Sequence, residues 1–150
     1  TLYCFKPLNF KNNKQRQQYT RLVRNVKKTL PIAKEVNRAI IETYEFLQTL
    51  PDEKARQKHL NAVEKSVKEQ YTPRMKKLTF AQGKLLIKLI NRETDSSSFE
   101  LVKAFLGPFK AGFYQAFAAI FGASLKKEYH PEGEDAMVEQ IVLLVESGQI

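Results

Sequence analysis

A chain of 150 residues suffices for one domain with a real core, and 43% hydrophobic against 27% charged residues, with Gly and Pro scarce, excludes extensive disorder. A single cysteine, Cys4, excludes an internal disulfide and any cysteine-rich zinc module. The formal net charge of +9 is lopsided: residues 1–34 carry Lys6, Lys11, Lys14, Arg16, Arg21, Arg24, Lys27, Lys28 and Lys34 and no acid, while from Glu128 onward acids stand without a Lys or Arg.

Residues 1–13 alternate weakly and contain Pro7, which suits an extended arm, with Asn13 as a helix N-cap. Beyond it Tyr19, Leu22, Val23, Val26, Leu30, Ala33, Ile40, Tyr44 and Leu47 keep helical spacing on one face. This is one long helix or two in line, kinked or broken at Pro31, which removes a backbone donor. On its opposite face Lys14, Arg21 and Lys28 recur every seven residues, with Arg24 and Lys27 beside them. A basic amphipathic helix of this kind fits phosphate backbones or anionic surfaces; the competing reading is a solvated face, or one paired with the acidic C-terminal helix. Tyr19 falls on the apolar face, so no stacking platform for single strands is present, and no helix-turn-helix or RNA-recognition signature appears.

Leu50-Pro51-Asp52-Glu53 predicts a turn and a second helix with proline at its first position, running to about Tyr71 and stopped by Thr72-Pro73. Leu60, Val63, Val67 and Tyr71 form its narrow apolar seam, and His59 borders it as a structural or solvent-facing residue.

Thr79 and Gln82 form a capping-box pair that starts a third helix. Phe80, Leu85, Leu86, Ile87, Leu89 and Ile90 cover most of its circumference, the pattern of a central helix. The exception is a stripe of Lys84, Lys88 and Arg92, followed by Glu93. These four are candidate ligands for an anionic molecule in a cleft; the competing reading is a structural or solvated stripe with Arg92 paired to a carboxylate. Asp95 to Ser98 is a polar corner, and Ser97 with Glu100 caps a following helix over Phe99–Leu106.

The stretches FAQGKLLIKLINRET (80–94), SFELVKAFLG (98–107) and QYTRLVRNVKKTLP (18–31) resemble an uncharacterised bacterial domain-of-unknown-function family, family 4294. The resemblance covers nearly the whole chain and implies a single helical domain, often made with an export signal. It brings no assigned activity and no catalytic residues. The chain opens with Thr1 rather than Met, so with that resemblance we expect an exported protein, periplasmic or in the cell envelope, with a cytoplasmic location still open.

Gly107-Pro108 is a stop, after which Phe109, Phe113, Phe117, Ile120 and Phe121 line one face with small residues between them, a core pattern. That run is interrupted by Lys110 and Gln115, so no transmembrane segment is expected. The last helix bears Met137, Val138, Ile141, Val142, Leu144 and Val145. Glu128, His130, Glu132, Glu134 and Asp135 before it lack an EF-hand pattern and read as N-terminal acids rather than a metal site.

The expectation is an all-α single compact domain of about five or six helices, with a long Pro-kinked N-terminal helix and a short extended arm. No phosphate loop, nucleophile elbow, zincin motif or Cys-His pairing is present, so no cofactor and no metal is expected and the balance leans away from an enzyme. The first reading is a binding domain using the basic helix for an acidic macromolecule, an anionic surface or another protein. The alternative is a cryptic enzyme or small anionic-ligand binder at the Lys84 to Glu93 corner, with Glu128 and His130 as further candidates.

Overall fold

The computed structural model of the protein describes residues 2–5, 9–95, 115–120, 131–133 and 135–150. They form an all-α domain: α1 (Asn13–Leu47), α2 (Glu53–Met75), α3 (Phe80–Asp95), α4 (115–120) and α5 (Ala136–Glu146), with no strand among the described residues. No helix of the described residues is long and apolar enough to cross a membrane. The second polar capping box, the helix expected over Phe99–Leu106, the Gly107-Pro108 stop and Phe109, Phe113 and Phe121 lie outside the described residues, as do Glu128, His130 and Glu134.

The cap of α1 lies one residue earlier than the expected Asn13, which is instead the first residue of the helix. Asn12 is the N-cap, its Oδ1 accepting the Gln15 N–H at 3.0 Å, and Gln15 Oε1 in return accepts the Lys11 N–H at 2.8 Å. Val26, Leu30, Ala33, Val36, Ile40 and Leu47 follow three- and four-residue steps and are buried. Pro31 lies inside the helix without breaking it. Both Pro31 and Lys27 are exposed, so the carbonyl that proline cannot bond sits on the wet side, where a lost hydrogen bond costs least.

Capping also fixes α2. Asp52 is the N-cap, its Oδ1 accepting the Ala55 N–H at 2.7 Å, and Pro51 sits before the cap rather than at the first helical position. The expected stop at Thr72-Pro73 is overridden, and the helix continues to Met75. Tertiary contacts hold this last turn: Met75 is buried, and Arg74 forks onto Glu35 of α1 at 3.1 and 3.0 Å, while Pro73 faces solvent.

The capping box of α3 forms as read: Thr79 Oγ1 accepts the Gln82 N–H at 3.2 Å and Gln82 Oε1 accepts the Thr79 N–H at 3.1 Å. Gln82 Nε2 also donates to Asn25 Oδ1 at 3.1 Å, tying the start of α3 to α1. Leu85, Leu86, Ile87, Leu89 and Ile90 are all buried, so α3 is the central helix. It packs chiefly on α1, against which α5 also lies through Val138, Ile141 and Val142. Phe117 of α4 is fully buried and meets the half-exposed Phe80 with ring centroids 5.6 Å apart. The arm is clasped by the far end of the chain: Tyr3 N–H donates to Gln149 Oε1 at 2.7 Å and Gln149 Nε2 donates to the Tyr3 carbonyl at 2.8 Å.

Replacing Thr79 by Ala removes one half of the capping box, and the expected loss is about 1 kcal/mol in urea unfolding. An unchanged midpoint would show that the Gln82 to Asn25 bond alone positions α3.

Candidate anion-binding face and the ion network beside it

The stripe on α3 meets the acids of α5. Lys88 donates to Asp135 at 2.6 Å in a buried pair, and Arg92 forks onto Glu139 with Nε at 2.7 Å and Nη2 at 3.2 Å. Both pairs join residues 47 apart, so α3 and α5 run in the same direction where they meet. Arg92 also reaches Glu93 at 2.8 Å and Glu146 at 3.2 Å, and Lys34 of α1 bridges the same two acids at 3.2 and 2.7 Å. Lys84, one turn earlier, is half-buried and is also engaged. Lys88, Arg92 and Glu93 of the Lys84 to Glu93 corner therefore stand in an arrangement whose anions are the protein's own carboxylates.

Burial pushes the Arg92 guanidinium down, but its hydrogen bond to Glu139 and the charges of Glu139, Glu146 and Glu93 outweigh this and raise it above its ordinary value. Arg92 is thus a fixed cation. Lys34 follows the same balance: burial lowers it, and the bond to Glu146 with the charges of Glu93 and Glu146 raises it overall. Asp135 occupies the N-cap position of α5 without a side-chain cap bond, since its carboxylate serves Lys88. Of the acids weighed as metal ligands, Asp135 is spent in this way and Glu132 is exposed.

The basic face of α1 is arranged quite differently. Lys14, Arg21, Arg24, Lys27 and Lys28 are all exposed, and so is Arg16, which lies outside the expected set. Among the described residues none of the six forms a salt bridge. Among the described residues Lys34, at the end of the row, is the one cation of α1 that pairs with the acidic C-terminal helix. Arg16 is steadied instead by the Phe10 ring, 5.8 Å from its guanidinium carbon, and Phe10 in turn packs on Tyr19 at 5.5 Å. Arg16, Gln17, Thr20, Arg21 and Arg24 line a shallow hollow of about 330 Å³ on this face.

Residues 1–144 match the family described as Domain of unknown function (DUF4294). The chain belongs to that family. No curated protein and no solved structure matches it. In this DUF4294 chain a further hollow is a groove of about 460 Å³ between α1 and α2, lined by Arg38, Glu42 and Thr43 on one side and Ser66 and Gln70 on the other. His59 closes one end of it, its ring 4.5 Å from Phe46, so this histidine has a packing contact.

Two measurements check the network. Lys88→Met or Asp135→Leu alone removes one member of a buried ion pair, with an expected loss of about 3–5 kcal/mol, while the double substitution costs clearly less than the sum. Additive losses in denaturant unfolding would show that the pair is not coupled. The Lys34 pKa is raised on folding, so its contribution is complete below its unfolded value and is lost as pH rises through the folded one. Stability of the native protein should decline at alkaline pH by more than that of Lys34→Met; parallel profiles would exclude Lys34 as a contributor.

Proposed function

We propose that this domain acts by binding, with the exposed cations of the first half of α1 as the contact for an acidic partner. One observation carries the reading: these cations stand where they are unfavourable to the helix itself. The first turn of α1 holds Lys14 and Arg16 and no acid, at the end where the helix dipole is positive. Further along, Arg24 has Arg21, Lys27 and Lys28 three or four residues away, like-charge neighbours that destabilise a helix by about 0.2–0.5 kcal/mol each. No carboxylate among the described residues relieves them. A bound polyanion supplies the missing counter-charge.

The contrast with Lys34, Lys88 and Arg92 supports this choice over the corner on α3. Those three have carboxylates within 3.2 Å, so a soluble anion there competes with intramolecular partners already in place. Among the described residues the cations of the first half of α1 meet no carboxylate.

Binding and stability should therefore move in opposite directions. Converting Arg21, Arg24 and Lys28 together to Gln is expected to raise unfolding stability by about 1 kcal/mol and to weaken binding of a sulfated polysaccharide or duplex DNA at low salt by more than about tenfold. A loss of stability with unchanged affinity would overturn the proposal.

A further inference from the structure

Resting on the reading of α1 as a polyanion contact, we infer that its first half is shaped to seat in the major groove of a B-form DNA duplex. The cations are distributed around the helix in two rows. At about 100° per residue, Lys14, Arg21 and Lys28 fall within about 40° of one another and form one flank. Arg16 and Lys27 fall together on the other flank, roughly 100–160° away. Gln17, Thr20 and Arg24 lie between them on the crest. All eight are exposed, and the buried residues Val26, Thr29 and Leu30 lie on the far side, so the outward half of the cylinder is clear of the core.

Two cationic flanks with a polar crest match a concave site walled by two rows of phosphates. The major groove is about 12 Å wide and about 8.5 Å deep, and a helix with its side chains is about 10–12 Å across. Residues 13–28 span roughly 24 Å, enough to follow the groove past several base pairs. Flank lysines and arginines then meet phosphates, while Gln17, Thr20 and Arg24 reach the base edges, where amide and guanidinium groups find acceptors. The Phe10 ring against Arg16 fixes one flank cation before binding.

The same geometry argues against other polyanions. A flat anionic bilayer touches the crest and leaves the flanks unused, and interfacial helices carry apolar side chains into the acyl boundary. On this half of α1 the described residues expose no large hydrophobic side chain. A single-chain polysaccharide lies along one row, so one flank suffices. Duplex RNA closes its major groove to a helix, and a single strand finds no aromatic platform, since Tyr19 is partly buried against the core.

The test titrates the full chain, by fluorescence anisotropy at about 50 and about 200 mM salt, against a mixed-sequence DNA duplex, the matching single strand, duplex RNA, a sulfated polysaccharide and phosphatidylserine vesicles. Two variants accompany it, Lys14→Gln/Arg21→Gln/Lys28→Gln and Arg16→Gln/Lys27→Gln, each confirmed folded by circular dichroism. The expected result is binding to duplex DNA roughly tenfold or more tighter than to the other probes, with the salt slope flattened in both variants by about 0.9 for each phosphate contact removed. Equal binding of another probe, or a loss confined to one flank, overturns the groove while leaving the polyanion contact standing. No binding to any probe at low salt overturns both.

Discussion

The arrangement of this protein turns on Arg92. Its guanidinium is mostly buried, cannot lose its proton, and is met by carboxylates from its own helix and from α5, with Lys34 of α1 closing the circuit through Glu93 and Glu146. Burying one cation in this way is costly unless every partner is in place, so the network ties the position of α5 to that of α3 and of α1. The apolar face of α5, with Val138, Ile141 and Val142, supplies attraction without fixing register. The spacing shared by the Lys88 and Arg92 pairs supplies the register.

That use of the acids determines what is left over. Asp135, Glu139 and Glu146 are consumed within the fold, and the cations they satisfy belong to α3 and the middle of α1. The surplus of positive charge therefore stays at the start of α1, on the face turned away from the core, with no intramolecular counter-charge among the described residues. Like-charge neighbours of this kind cost the helix stability rather than adding to it. Their value lies in what they attract, because an extended field of one sign raises the rate and affinity of encounter with its opposite.

Proline placement illustrates how packing overrides local preference. Pro73 reads as a helix stop, yet the turn that contains it continues because Met75 is buried and Arg74 is clamped by Glu35. Pro31 is accommodated because it faces solvent in the middle of α1, where the neighbouring turns are held by Leu30 and Ala33 in the core. In both cases the lost backbone bond, of the order of 1 kcal/mol, is smaller than the packing that the continued helix secures.

The sequence by itself determined the elements and their inner faces. The all-α class, the apolar spacing of α1, the capping box at Thr79 and Gln82 and the central role of α3 follow from local patterns that survive in any packing, because caps and helical periodicity involve residues within one or two turns of each other. It also sorted the charged positions into two groups, Lys84, Lys88, Arg92 and Glu93 in one and Lys14 to Lys28 in the other. Only the tertiary structure decided which group is occupied. Lys34 and Glu93 are 59 residues apart, Arg92 and Glu146 are 54 apart, and nothing in their local spacing joins them. Whether a cation meets a carboxylate or open water depends on the register and direction of helices packed from distant parts of the chain, and that is settled by the core they share.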